Sequence, residues 1–169
     1  TSPNSEWEQM LAEGDPFIDI RCMNGHALDD WLRVGHSFAE LAENAQPADE
    51  LWTYYNMRGS FFTPEWCRLV NGYYMWMSPL TTHVPWMYHS FGRDPFDDTD
   101  SERYDFGYSV PSPEDGVTPV PTLHMKGSRE GIDDMRYLEL LGRLAAEARE
   151  TSAGREAQEW LQSLKGMMP

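Results

Sequence analysis

The chain has 169 residues and carries 28 acidic against 13 basic side chains, which gives a formal net charge of −15 at pH 7. Nucleic acids and anionic membranes are poor partners for it, because binding to either needs a basic stripe and the sequence has none. Aromatic residues make up 13% of the chain, which argues against disorder. The uncharged stretch at residues 69–91 is interrupted by Asn, Gly and Pro, so no membrane span is predicted.

The chain offers little material for a disulfide framework or a metal site. Its two cysteines, Cys22 and Cys67, are too few for a disulfide scaffold, and its five histidines show no ligand spacing with them. We therefore expect no metal and no cofactor. The first residue is Thr1, and no signal-peptide pattern follows it. We accordingly expect that a segment was removed upstream or that the chain is a piece of a longer protein.

The first half of the chain alternates between helical and extended patterns, and Pro and Gly mark the boundaries. In chain order the elements predicted are a helix end at residues 7–14, a strand at 17–22, an Asn24–Gly25 turn, one helix from Ala27 to Ala42 with Asp29 and Asp30 in its first turn, a strand at 51–55, a helix beginning at Thr63–Pro64 and reaching Met77, and a strand at 83–89.

A long irregular segment is predicted at residues 92–121, and it is strongly acidic. Loops of this length inside a domain are usually functional or mobile. Its acidic pairs, at residues 97–98 and 114–115, are interpreted as solvated loop charge, with a bound calcium ion as the alternative.

The last part of the chain is predicted to be helical. Ser128 is expected to begin the clearest helix, which runs to Arg149 and has Asp133 and Asp134 in its first turn. After a break, residues 156–164 form a final short helix.

The order of elements predicts an α/β fold. Strict alternation of strands and helices favours three parallel strands with covering helices. Residues 1–150 are expected to form this unit, and residues 151–169 a C-terminal helical tail. Three strands cannot close a barrel, so the pattern is typical of part of a larger α/β fold.

Several motifs together resemble a known family. They are an aromatic strand at residues 51–56, a helix carrying Arg68, Gly72 and Trp76, a strand around Trp86, an Asp-Pro-Phe turn at 94–96, and an Arg-Glu-Gly-Ile-Asp-Asp segment at 129–134 that runs into Arg-Tyr-Leu at 136–138. This set resembles the C-terminal part of the catalytic (β/α)8 (TIM) barrel of glycoside hydrolase family 123-like proteins. The resemblance covers residues 17–148, and residues 129–138 are its most specific part. It implies that the N-terminal part of the barrel is missing from the chain.

The resemblance implies retaining, substrate-assisted hydrolysis of a β-linked N-acetylhexosamine, with N-acetylgalactosamine as the expected sugar. In that scheme the acetamide oxygen attacks the anomeric carbon, an Asp polarises the acetamide, and a neighbouring Glu protonates the leaving oxygen. The family's Asp-Glu-Pro is absent here, and the only Asp-Glu pair, Asp49–Glu50, precedes the second strand. We therefore expect no catalytic residue in this chain, which would supply one wall of a carbohydrate pocket.

Substrate-binding residues are expected where strands end, because active sites of such barrels lie at the C-terminal ends of the strands. The candidates, drawn from the three strand ends and from the start of the following helix, are Asn24, His26, Tyr55, Asn56, Trp86, Tyr88, His89 and Arg129. Tyr55 and Tyr88 are the candidates for stacking on a sugar ring, and His89 for donating to a sugar hydroxyl. The alternatives are a core position for Trp86, a packing or surface role for His89, and a structural ion pair for Arg129.

Two other functions remain open from the sequence. The chain is alternatively a complete, non-catalytic carbohydrate-binding or scaffold module, for which a covered sheet edge is expected, whereas an exposed inner sheet face favours a barrel portion. An active hydrolase that uses local carboxylates, Asp105 or Glu130, ranks third. The compartment is not determined, although a hydrolase of polymers is compatible with a location outside the cytoplasm.

Overall fold

A three-stranded parallel sheet forms the centre of the protein. The computed structural model describes residues 19–43, 45, 50–55, 63–97 and 106–167. The strands lie side by side in chain order, β1 (Ile20–Asn24), β2 (Glu50–Tyr55) and β3 (Thr82–Pro85). Both pairings are parallel and join residues 30 positions apart in the chain. The expectation of an α/β fold with three parallel strands is confirmed, whereas the helix end expected at residues 7–14 lies outside the described residues.

The region after β1 contains two helices, which corrects the expectation of one. α1 (Gly25–Arg33) and α2 (Phe38–Glu43) are separated at Gly35, whose φ of 107° lies in the left-handed region that favours glycine. Asn24 caps α1, because its Oδ1 accepts a hydrogen bond from the His26 backbone N–H at 3.0 Å. The expected turn at Asn24–Gly25 is therefore a helix start, and Asp29 lies beyond the first turn of α1.

The helical stretch after β2 begins where the sequence indicates. Thr63 caps α3 (Pro64–Leu69) by accepting a hydrogen bond from the Trp66 backbone N–H at 3.2 Å. The stretch continues through a π-helical segment (Val70–Tyr74) into a last turn, α4 (Met75–Met77). Segments of this kind are frequent at functional sites.

The third strand is shorter than expected, since β3 ends at Pro85 and not at His89. Proline has no backbone N–H to extend the ladder. The next residues form a separate two-stranded antiparallel sheet of β4 (His89–Ser90) and β5 (Phe106–Gly107).

The segment at 92–121 is not irregular throughout, which corrects a second expectation. It contains β5 and also a hairpin of β6 (Ser109–Pro111) and β7 (Pro119–Pro121). In the hairpin loop, Asp115 Oδ1 accepts hydrogen bonds from the backbone N–H groups of Val117 (2.9 Å) and Thr118 (2.8 Å). The hydrogen bond from the Thr118 hydroxyl, followed by these two backbone bonds, lowers the pKa of Asp115 to about 2. This carboxylate therefore stabilises the loop.

Both C-terminal helices begin earlier than expected. α5 (Leu123–Glu147) is capped by Thr122 and not begun by Ser128, so that Arg129 and the pair Asp133–Asp134 lie beyond its first turn. α6 (Ser152–Lys165) is capped by the Thr151 hydroxyl and packs against α5. Among the helices that the structure describes, none is both long and apolar enough to span a bilayer.

The two faces of the sheet differ sharply in burial. Leu51, Thr53 and Tyr55 of β2 are buried, and Leu51 joins Met23 of β1 and helix residues such as Leu28 in the main core. The alternate residues point to the other side. We call that side the open face; its residues are only partly covered or exposed, and they are Ile20, Cys22, Asn24, Glu50, Trp52, Tyr54, Thr82 and Val84. Among the described residues, the helices pack on the buried face.

Glycines allow α5 to cross the preceding helical stretch at close range. We call Gly72, Gly127 and Gly131 the glycine seam. A Cβ on Gly72 would lie 2.7 Å from the Gly131 carbonyl oxygen, and a Cβ on Gly127 or Gly131 would overlap a backbone carbonyl of α3. Beside the seam, Arg68 of α3 donates two hydrogen bonds to Asp134 of α5, at 2.5 and 2.8 Å. The close backbone contact between α5 and the helical stretch before it therefore depends on the absence of side chains at these three positions.

Candidate functional site

Three side chains meet on the open face where the parallel strands end. We call Asn24, Tyr54 and Trp86 the aromatic site. Asn24 lies beside Tyr54 in the strand register, and its Nδ2 donates a hydrogen bond to the Tyr54 hydroxyl at 3.3 Å. Trp86 follows β3 and lies against Tyr54, with ring centroids 5.3 Å apart and planes tilted by 32°. Because Trp86 is 57% exposed, an indole surface remains available to a ligand.

The remainder of the open face is also rich in aromatic surface. Trp52 lies two residues before Tyr54, and its Nε1 donates to Glu50 Oε2 at 2.9 Å. Cys22, beside Trp52 in the register, is a free thiol whose partial burial raises its pKa. A raised pKa disfavours the nucleophilic thiolate. At the strand ends the face thus presents aromatic rings, one amide and one hydroxyl. These groups are suited to binding a ligand by ring packing and hydrogen bonds.

Tyr55 is buried beneath the sheet and is not available for stacking on a ligand. It is only 2% exposed, because strand alternation turns it to the face opposite Tyr54. Its ring packs edge-on against Trp66, with centroids 4.9 Å apart. Closeness to the strand end is the feature of the sequence that favours Tyr55. Period-two alternation places Tyr54 and Tyr55 on opposite faces of β2, and the helices cover the face of Tyr55.

A partly buried carboxylate joins three elements below the aromatic site. Asp29 Oδ1 accepts hydrogen bonds from the hydroxyls of Tyr55 (2.9 Å) and Tyr74 (3.3 Å); we call this group the Asp29 clamp. Burial raises the pKa of Asp29, and the two hydroxyl donors partly offset that rise. Burial is also the largest cause of the raised pKa values of both tyrosines. The clamp connects α1, β2 and the π-helical segment.

Other candidates lie near the strand ends without joining the aromatic site. His26 is exposed in the first turn of α1, and its ring meets Tyr55 edge-on at 5.2 Å. Tyr88 is 54% exposed and lies 5.8 Å from Tyr108 between ring centroids. His89 belongs to β4, where its ring stacks on Phe91 at 5.2 Å. Asn56 lies outside the described residues.

Arg129 is not brought to the aromatic site. It is exposed on α5, and α5 packs against α3 and the π-helical segment on the buried side of the sheet. The expectation of a position at the rim depends on a helix that starts at Ser128. Because α5 begins earlier, at Leu123, Arg129 does not lie at the start of the helix.

A second polar network lies on the buried face. Asn71 Nδ2 donates to the Cys67 carbonyl oxygen at 2.9 Å and to Ser128 Oγ at 3.3 Å. Its Oδ1 is then the acceptor for His83 Nδ1–H at 3.0 Å. His83 Nε2 is buried and has no hydrogen-bond partner within the described part of the chain. Burial lowers the pKa of His83 from 6.5 to about 4.

The His83 pKa predicts a loss of stability on acidification. A histidine whose folded-state pKa is lowered contributes stability above its unfolded-state pKa and loses it as the pH falls from 6.5 towards 4. We expect the free energy of unfolding to fall by about 2 kcal/mol between pH 7.5 and pH 5 through this group alone. Urea titrations of the wild type and of His83→Gln measure it, with His89→Gln as the control at an exposed histidine. An equal pH dependence in all three proteins contradicts the assignment.

The fold and the site define a mixed α/β protein whose parallel sheet has one open face ending in an aromatic site. In comparisons with known proteins, no protein-family model matches the chain and no curated protein matches its sequence. Among the described residues, no group of three His, Cys, Asp or Glu side chains is arranged to hold a metal ion.

Proposed function

We propose that this chain is part of a (β/α)8-barrel domain of the glycoside hydrolase type and supplies one wall of its carbohydrate pocket. The observation that carries the proposal is the open face of the parallel sheet, which ends in the aromatic site at the carboxyl ends of the strands. Sites of barrel enzymes lie at this end of the strands.

The winding of the sheet supports a barrel portion. The strands follow one another in chain order, and the helices pack on one face. This arrangement results when each right-handed crossover adds the next strand on the same side of the previous one, as in a barrel. In a doubly wound sheet the strand order reverses at one point, and helices cover both faces. Parallel sheets are normally covered on both sides. Further strands of a barrel would cover the open face.

The chemistry of the aromatic site supports a carbohydrate ligand. The apolar face of a sugar ring packs on aromatic planes, and Trp86 presents such a plane at the surface. The Tyr54 hydroxyl, which the Asn24 amide holds in place, is a hydrogen-bonding group of the kind that sugar hydroxyls pair with. Through the family resemblance, the proposed ligand is a β-linked N-acetylhexosamine, and N-acetylgalactosamine in particular.

The catalytic acid pair is proposed to lie outside this chain. Glu50, from the only Asp-Glu pair, begins β2 at the end of the strand opposite the aromatic site, and its carboxylate accepts from Trp52. We therefore expect the chain to bind sugar without turning over aryl N-acetylhexosaminides. Robust turnover would contradict this division of roles.

A non-catalytic carbohydrate-binding or scaffold module is the alternative, and it would use the same aromatic site. The open face favours the barrel portion, because a complete module would be expected to cover the apolar surface around Ile20, which is 46% exposed. The coding sequence upstream of Thr1 distinguishes the two. An Asp-Glu-Pro at the end of a predicted strand there favours the hydrolase, and its absence favours the module.

Replacing Trp86 by alanine is expected to weaken the binding of N-acetylgalactosamine about tenfold, because an aromatic contact of this kind contributes about 1 kcal/mol beyond the area it buries. Sugar titrations followed by NMR measure the effect. Trp160→Ala is the matched control, since Trp160 is 51% exposed on α6, outside the aromatic site. Equal affinity in both variants would contradict a sugar contact at Trp86.

A further inference from the structure

We infer that Asn24 is a positioning residue that makes the Tyr54 hydroxyl an outward-pointing hydrogen-bond donor. The aromatic site then selects a ligand that presents an acceptor oxygen beside the face that packs on Trp86. The inference about the ligand rests on the proposed function, whereas the orientation of the hydroxyl belongs to the protein alone.

The helix cap fixes the orientation of the Asn24 amide. Its Oδ1 accepts the His26 backbone N–H at 3.0 Å, a bond that only the oxygen end of the amide can make. The NH₂ end must then face Tyr54, whose hydroxyl lies 3.3 Å from Nδ2. One amide thus caps α1 and donates to the phenol at the same time.

The donated hydrogen bond determines what the phenol can do. A tyrosine hydroxyl has one hydrogen and accepts through its oxygen lone pairs. Asn24 Nδ2 donates to a lone pair of the Tyr54 hydroxyl oxygen. The hydrogen of that hydroxyl therefore points away from Asn24. Among the described residues, no other group forms a hydrogen bond with this hydroxyl. The hydroxyl is therefore free to donate to a ligand on the open face.

Replacing Asn24 by aspartate reverses this polarity without removing the helix cap. Aspartate is as good an N-cap as asparagine, but its second oxygen can only accept. The Tyr54 hydroxyl would then donate to the new carboxylate and be lost as a donor to a ligand. Thr151→Asp is the matched control, because Thr151 caps α6 in the same way, away from Tyr54.

The first measurement needs no ligand. The ¹³Cζ resonance of Tyr54, assigned by its loss in Tyr54→Phe, reports whether the phenol accepts or donates. We expect Asn24→Asp to move this resonance and Thr151→Asp to leave it unchanged. An unmoved resonance in Asn24→Asp would overturn the inference whether or not the protein binds sugar.

The second measurement is the affinity for N-acetylgalactosamine. Asn24→Asp and Tyr54→Phe are each expected to weaken binding roughly five- to tenfold, and the double variant no further, because all three lack the same donor. Unchanged affinity in Asn24→Asp, with a moved resonance, overturns the role of the hydroxyl as a ligand donor. A wild type that binds no sugar contradicts the proposed function and the ligand part of the inference, while the resonance still decides the orientation of the hydroxyl.

Discussion

Replacing Gly131 by alanine is expected to destabilise the protein by about 3 kcal/mol or more, because the glycine seam leaves no room for a side chain. The added Cβ would overlap the Arg68 carbonyl oxygen and lie 3.0 Å from the Gly72 nitrogen. Both neighbours are backbone atoms, so the two helices must separate. That separation would also pull apart the hydrogen-bonded pair of Arg68 and Asp134.

Gly142→Ala in the same helix is the matched control for this prediction. A Cβ there would meet only Leu161 Cδ1, at an ordinary contact distance of 3.9 Å. Since alanine is favoured over glycine in helices by about 1 kcal/mol, Gly142→Ala is expected to be neutral or stabilising. Urea unfolding of both variants gives the comparison. A similar loss in both would show that the backbone contact at the seam is not the cause.

Replacing Asp29 by alanine is expected to cost on the order of 3 kcal/mol, because two largely buried tyrosine hydroxyls lose their acceptor at once. Asp30→Ala is the control from the next position, since Asp30 pairs with Arg33 at 2.6 Å on the exposed side of α1 and such pairs contribute little. Chemical denaturation of both variants measures the difference. Equal losses at the two positions would contradict the clamp.

The Asp29 clamp and His83 respond to pH in opposite directions. Because burial raises the pKa of Asp29, its contribution to stability is fully present below the unfolded-state pKa and is lost as the pH rises through the folded-state pKa. Acidification should therefore favour the wild type relative to Asp29→Asn. For His83, whose pKa is lowered, acidification should favour His83→Gln. A shared pH profile for the two substitutions would contradict both assignments.

Elements with strong local signals could be predicted from the sequence. The strand at residues 51–55 is aromatic and β-branched, and Thr63–Pro64 combines a capping hydroxyl with a proline at the first helical position. Two helix boundaries differ from the expectation although local signals mark them. The start of α5 follows a capping hydroxyl at Thr122, and the break between α1 and α2 lies at a glycine, Gly35; the apolar periodicity that runs past both positions conceals them.

The candidate site could be predicted only in part from the sequence. Asn24 and Trp86 were found because they follow strands, and the structure brings them together around Tyr54. Choosing between Tyr54 and Tyr55 requires knowing which face of β2 the helices cover. In a strand whose two faces are both aromatic, the sequence does not carry that information, and only the assembled core provides it.

The constant spacing of the strand pairings has a consequence for folding kinetics. Each strand pairs with the one before it at the same separation of 30 residues, so the sheet can grow by the addition of one strand and its connection at a time. Both pairings of the parallel sheet join segments that are close in the sequence, so the loops closed by forming them are short. During synthesis, the β1–β2 pair can therefore form before β3 has left the ribosome, and folding is expected to proceed from the amino end.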